Sequence, residues 1–407
     1  MNHHRPPTKA PFHAAVLSVL LAAAVVSAHA DSLREVFEKA WSNSPEGKTV
    51  EAKREEAAAS RTVGESLFPG APTVGAFQRT DRWNDNLGTR ESEINVSLPL
   101  WLPGQKAARQ ALAEADSEEN QRAIEATRLA VSGELRQTLW TLYLASSEVE
   151  IAAENLATAR QLEADVSRRL KVGEIARTDL LLAKQETASA RTVLADAESR
   201  AVRSRQRYRV LTGSDRLPDD PQEPIMPDGT GTAHPRLAAG LALVERARAG
   251  LRLARESRRE PPSIGLQYRR DRESGGSTPR DSIGFAITIP LAVEVRNAPL
   301  IASANTSLAQ ADAQYRRLLA EIEAEQRAAE AQLEAARIGA EQAIARAQAA
   351  TERLALIRRS FALGESALVE LLRAQSQANE ARIELARSRA RLGAAQANLN
   401  QARGIPL

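Results

Sequence analysis

Two spacings of apolar residues alternate along this chain, and each dictates a different element. From Asn297 to Leu363 small and apolar residues recur on two heptad lines. One runs Ile322, Ala329, Ala336, Ala343, Ala350, Ile357; the other runs Leu319, Gln326, Leu333, Ala340, Ala347, Leu354, Phe361. A sustained period of seven predicts a left-handed coiled-coil seam, and Ala at six of these thirteen positions lets the partner helix come close. Gly104 to Lys171 predicts a second long helix. At the α-helical rise each is ~100 Å long. Shorter helical runs are expected at Ser32–Leu67, with Ser32 as N-cap, and at Ile175–Thr212, Pro235–Arg259 and Ser366–Arg403. Stacked end to end, the short pairs about match their long partners, ~111 and ~95 Å by the same rise.

The period changes to two in front of each long helix. Ile94, Val96 and Leu98 alternate with Glu93, Asn95 and Ser97 in the run Arg90–Pro99, and Thr73–Arg82 precedes it across a turn at Asn84–Gly88. In the second half Ile264, Leu266 and Tyr268 alternate with Gly265, Gln267 and Arg269. Ile283, Phe285, Ile287 and Ile289 alternate with Ser282, Gly284, Ala286 and Thr288, beyond a turn at Ser274–Ser277. Strict alternation predicts strands with one apolar and one polar face. Each is about ten residues, the length of a tilted strand that crosses a bilayer. Trp83 and Trp101 stand at opposite ends of the first hairpin, where interfacial aromatics belong. A soluble hairpin packed on helices gives the same alternation. Four strands cannot close a membrane barrel alone, because open edges are not tolerated in lipid. Spanning strands therefore require several chains.

The two halves are repeats. A shift of 191 residues places Pro99-Leu100 on Pro290-Leu291, Gly173-Glu174 on Gly364-Glu365 and Leu180-Leu181 on Leu371-Leu372. Val172-Gly173-Glu174 and Leu363-Gly364-Glu365 each break a long helix and precede another helical run, so each reads as the tip of a helical hairpin. The expected organisation is a first repeat over 31–213, with a hairpin near 72–99 and a tip near 172–177. A Pro-rich linker follows over 214–233. The second repeat occupies 234–407, with a hairpin near 262–290 and a tip near 363–368.

Composition narrows the class. A net charge of +3 over 407 residues gives no case for nucleic acid. The chain has no Cys, so no disulfide and no lipid-anchor thiol are expected. Residues 1–30 read as a cleaved signal peptide: Arg5 and Lys9, the apolar Ala14–Val26, then Ala28-His29-Ala30. Four of the five His fall in that segment, leaving His234. A catalytic nucleophile–His–acid set, a soft metal site and a bound cofactor are therefore not expected, and the chain is read as no enzyme.

The paired strand ends Ser97-Leu98-Pro99-Leu100 and Thr288-Ile289-Pro290-Leu291, with the two tips, carry a resemblance. In the order helix–hairpin–long helix–tip–helix, twice over, the chain resembles the TolC-type outer-membrane efflux proteins across nearly its whole mature length. The stretch Phe361–Arg382 is most similar to the branch serving heavy-metal efflux (cobalt, zinc, cadmium). The resemblance implies a mainly α fold with a small β part. It implies a homotrimer sharing a 12-stranded outer-membrane barrel above a periplasmic helical tunnel. It also implies a periplasmic adaptor, an inner-membrane pump of the RND type, and passive conduction of substrates, with metal cations as the expected cargo. A channel for drugs or secreted proteins, a soluble coiled-coil scaffold and an adaptor are the alternatives. The scaffold leaves the matched hairpins unexplained, and an adaptor should carry one helical hairpin rather than two tips.

Three sets of residues follow. Val172, Gly173, Glu174, Leu363, Gly364 and Glu365 are expected to contact the adaptor, as the family uses this position. Ile94, Val96, Leu98, Ile283, Phe285, Ile287 and Ile289 are expected to face lipid, with Glu93, Asn95 and Ser97 facing the lumen. Glu370 matches an acidic position that rings the periplasmic mouth in the family. Arg373 stands where better-known members have a second acid, and could pair with Glu370 at i,i+3.

Overall fold

The computed structural model describes residues 32–218, 220–226, 234–291 and 294–407. The expected signal segment and part of the linker lie outside them. The described residues form seven helices and four strands in the order α1 (Leu33–Asn43), α2 (Pro45–Glu65), β1 (Thr73–Thr80), β2 (Arg90–Pro99), α3 (Gln105–Lys171), α4 (Arg177–Thr212), α5 (Pro235–Glu256), β3 (Ser263–Arg272), β4 (Arg280–Thr288), α6 (Glu294–Ala362) and α7 (Leu368–Ala402).

The run expected as one helix from Ser32 is two. Ser32 opens α1 with a capping box: Glu35 N–H donates to Ser32 Oγ at 3.3 Å, and Ser32 N–H to Glu35 Oε2 at 2.9 Å. At Ser44 the chain turns extended, and Ser44 Oγ accepts from Gly47 N–H at 2.9 Å. Pro45 forces the break, since it has no N–H to continue α1 and is well placed as the first residue of α2. β1 stops two residues before the expected Arg82, because Asp81 folds the chain into a turn: its carboxylate accepts from Thr89 N–H at 3.0 Å. α6 starts at Glu294, ahead of the expected Asn297, and carries Pro299 in its first turns.

The strands form one antiparallel sheet in sequence order, joined between hairpins by β2 and β3. The register aligns the apolar residues in rows. Val74, Val96, Leu266 and Phe285 stand opposite one another, as do Ala76, Ile94, Tyr268 and Ile283; Leu98, Ile264 and Ile287 form a third row. Toward the hairpin loops the same face continues as Gln78, Ser92, Arg270 and Asp281, then Thr80, Arg90 and Arg272. Ile289 is a correction: it lies beyond the last residue of β4 and belongs to no strand row.

Below the sheet the helices make one layer. α3 packs between α4 and α7, and α6 packs outside α7; nearer the sheet, α2 and α5 lie along α3, and α5 also touches α6. Each half is thus a long helix beside a stack of short ones, α1, α2 and α4 on α3, and α5 and α7 on α6. The largest core cluster gathers Val36, Phe37, Leu135, Leu139, Leu142 and Tyr208 at mid-height. Elsewhere the seams are mostly Ala: Ala329, Ala340, Ala343 and Ala347 of the α6 heptad lines are buried. The two halves lock where Trp140 of α3 lies on Gly393 of α7. A Cβ at residue 393 would come within 1.9 Å of the indole. A buried ion pair closes the same level. Arg136 donates to both carboxylate oxygens of Glu223 at 2.9 and 2.7 Å, and to Gln401 and the Ile405 carbonyl. It pins linker and C-terminal segment to α3.

Candidate functional site

The far end of the helical layer is built from two copies of one backbone closure. At the first tip Gly173 takes φ 80°, its N–H donates to the Leu170 carbonyl at 3.0 Å, and Glu174 N–H donates to Arg169 at 3.0 Å. At the second, Gly364 also has φ 80°, donating to Phe361 at 3.1 Å, with Glu365 N–H to Ser360 at 2.9 Å. This paired closure ends a helix on a left-handed residue, which Gly adopts without penalty. Nothing lies within 4 Å of where a Cβ would stand on either Gly, so both tips project into solvent. Val172 and Leu363 are 70% and 68% exposed, and Glu174 and Glu365 are exposed beside them.

The tips sit side by side. Val166, Ala183 and Leu368 form a small buried cluster with Ile175, Leu180, Phe361 and Leu372 around it. Arg169 of α3 crosses to the second tip: its guanidinium lies 5.1 Å from the Phe361 ring centroid and donates to the Phe361 carbonyl at 3.4 Å. Sequence reasoning missed this residue, since a basic side chain in the last turn of a helix is ordinary complement to the helix dipole. Only the contact with Phe361, 192 residues away, distinguishes it.

Glu370 and Arg373 lie just past the second tip, both exposed, with no ion pair between them among the described residues. Glu370 is the third residue of α7, and the repeat places it on Asp179, third in α4. There the carboxylate accepts from Ala176 N–H at 3.3 Å. An acid at this position serves a helix N-terminus whether or not it lines a mouth.

At the opposite end the sheet is inverted relative to a soluble fold. In β2 and β3 the apolar residues are the exposed ones and the polar ones are half-buried: Ile94 and Val96 against Glu93 and Asn95, Leu266 and Tyr268 against Gln267 and Arg269. Phe285, Ile283 and Ile287 of β4 are 87%, 71% and 72% exposed. A water-facing sheet does the opposite. Among the described residues no helix is long and apolar enough to cross a membrane.

Residues 36–214 match the sequence profile of the family described as outer membrane efflux protein. That segment is the first repeat, and the second repeat has the same layout. Over its first repeat the chain is similar to the outer membrane efflux protein family. A curated relative, the cobalt-zinc-cadmium resistance protein CzcC of Cupriavidus metallidurans, is 25% identical over 239 residues, so the match spans just over half of each chain, 56% of both. The fold is that of solved outer membrane channels. The Campylobacter jejuni CmeC outer membrane channel superposes with a TM-score of 0.75 at 17% identity, covering 92% of this chain and 86% of its own. CusC, whose crystal structures concern folding and transmembrane channel formation, superposes at 0.72 and 17% identity, covering 92% of each chain. The chain shares with these channels a sheet at one end and a long helical layer below it.

Proposed function

We propose that three copies of this chain form a passive outer-membrane channel of a tripartite efflux system. A periplasmic adaptor docks at the tips, and an inner-membrane pump, of the RND type, supplies the energy. The observation that supports this reading is that the chain is unfinished at the same two edges in both of its layers. β1 and β4 are open strand edges with an apolar outer face. α4 and α6 are the outer helices of the layer, and each carries a second exposed seam. On α6 it runs Ala328, Ala331, Ala335, Ile338, Ala345, Ala349; on α4, Leu181, Ala188, Thr192, Ala195, Ser199, Val202. Both follow heptad spacing and neither contains a charge. Closing a ring pairs β1 with β4 and α4 with α6 of the next copy, which removes the edges that lipid forbids.

The repeat also indicates how the copies meet. The 191-residue shift carries Trp140 onto Ala331 and Gly393 onto Val202. The α3–α7 junction inside one chain thus corresponds to an α6–α4 junction between chains. The native chain has no Cys, so a cysteine pair gives a clean test. Ala331→Cys with Val202→Cys should yield disulfide-linked oligomers up to a trimer in the outer membrane, whereas monomers alone would refute the ring. The cargo reading, heavy-metal cations, rests on the CzcC likeness and on Phe361–Arg382. Deletion of the gene should sensitise cells to cobalt, zinc or cadmium; sensitivity to drugs with unchanged metal tolerance would move the cargo to that class.

A further inference from the structure

We infer that Arg90 and Arg272 form, on the outer wall of the barrel, a binding surface for phosphorylated lipid headgroups of the outer leaflet. The inference rests on the channel reading above. Arg90 and Arg272 are direct partners across β2 and β3, on the apolar face and beyond its last apolar row. Like charges directly opposite each other on a sheet repel. Among the described residues neither guanidinium has a carboxylate partner. The carboxylate in the strand rows of that face is Asp281, one row nearer the membrane, and it lies 3.5 Å from Arg270. Arg272 Nε has a backbone partner, the Gly88 carbonyl at 3.3 Å, and that leaves its charge uncompensated.

The height of the pair fits a headgroup. The three apolar rows centre on Val96, and Arg90 is six residues further along β2. At ~3.4 Å per residue and a tilt of ~45°, that is ~14 Å along the membrane normal. Half of a ~30 Å hydrocarbon layer is about the same distance. Trp83, 88% exposed, stands at this end as an interfacial aromatic would, with the Arg82 guanidinium 5.8 Å from its ring centroid. The position is held firmly, because the hairpin loops are tied together: Gly275 N–H donates to the Leu87 carbonyl at 2.8 Å and Thr89 Oγ1 to the Glu273 carbonyl at 3.1 Å. A phosphate between the two guanidiniums neutralises the repulsion while its acyl chains lie along the apolar rows below. Arginine suits this role through its planar fork of donors.

The test uses the full-length trimer purified from outer membranes in a neutral detergent. It is titrated with a short-chain phosphatidic acid, with phosphatidylcholine of equal chain length, and with inorganic phosphate, and bound lipid is counted by native mass spectrometry. Phosphatidic acid should bind and phosphatidylcholine should bind far less. R90Q/R272Q should weaken phosphatidic acid binding by roughly fivefold per arginine, while R90K/R272K, which keeps the charge but not the fork, should lose less. Arg79→Gln, on the opposite face of the sheet, should change nothing. Removing like-charge repulsion does not threaten folding, so R90Q/R272Q remains a usable protein. Equal binding by wild type and R90Q/R272Q overturns the inference, as does displacement of the lipid by an equal concentration of inorganic phosphate. A chain recovered in the soluble periplasm overturns the channel reading and this inference with it; an inserted trimer that ignores the substitutions overturns only the inference.

Discussion

α3 and α6 are the same helix by length and by repeat position, yet they are packed very differently. α3 has 67 residues and buries Leu129, Leu135, Leu139, Trp140, Leu142, Leu156 and Val166 among others. α6 has 69 residues and buries only seven among the described residues, five of them Ala. The reason is place rather than sequence propensity. α3 lies inside the layer with α4 on one side and α7 on the other, and α6 lies at its edge, with α7 and α5 packed on one side alone. The repeat holds two helices of nearly equal length; neighbours decide which one carries the core of a single chain. What α6 lacks in buried area it keeps as the exposed seam from Ala328 to Ala349, on roughly the opposite side from its heptad lines.

The largest effects should separate the two helices. Leu135 is fully buried against Phe37 and Tyr208. Leu135→Ala should cost ~2–5 kcal/mol of fold stability, read as a lower denaturation midpoint of the isolated chain. Ile338 of α6 is 53% exposed. Ile338→Arg should leave the chain folded, with native helix content, and block the trimer. If Ile338→Arg unfolds the single chain as Leu135→Ala does, α6 is no edge. A smaller effect marks the junction between halves. Gly393→Ala puts a methyl group into the Trp140 ring and should cost ~1–3 kcal/mol through overpacking. Its repeat counterpart Val202 is 60% exposed, so Val202→Ala should barely change chain stability and should weaken assembly instead.

This division also marks how far the residues could be read. Long helices, strand alternation and both tips were legible, because heptads, period-two runs and Gly-Glu breaks are local patterns. The first seam of α6 was legible for the same reason. Its second seam was not singled out, because Ala at heptad spacing on an Ala-rich helix stands out only once burial shows the first seam already occupied. Ser44-Pro45 was a readable break that the longer helical run obscured. Ile289 was placed with β4 by alternation alone, and the ladder ends at Thr288. Arg169 on Phe361 and Arg136 on Glu223 are contacts between distant segments, which no single-chain pattern encodes.

The tips extend the comparison to function, since α3 ends in one and α6 in the other with the same geometry. Gly173 and Gly364 both hold φ 80° in open space, so a side chain there meets strain but no clash. Gly173→Gln with Gly364→Gln should abolish efflux while leaving trimers in the outer membrane. Each single variant should do less, because the tips sit side by side and share one buried cluster. Unchanged efflux together with unchanged adaptor crosslinking in the double variant would show that these Gly only turn the chain.

The smallest expected change in stability, and the sharpest test of the second tip, lies at Glu370. The repeat places it on Asp179, and the two acids hold the same position at the start of α7 and α4. If both serve only the helix N-terminus, either substitution to Ala should cost ~1 kcal/mol or less, and the pore should not notice. Around a threefold axis, three Glu370 carboxylates would instead repel one another and attract cations, with Arg373 one turn on opposing that field. The structure leaves Arg373 unpaired with Glu370, so the two charges act separately rather than as a locked pair. Single-channel recording in planar bilayers separates the cases. Glu370→Ala should lower cation preference, Arg373→Asp should strengthen block by divalent cations, and Asp179→Ala should alter neither. Equal responses to Glu370→Ala and Asp179→Ala would remove any special place for the second tip. Altered selectivity from Glu370→Ala alone would show that α7, and not α4, faces the mouth.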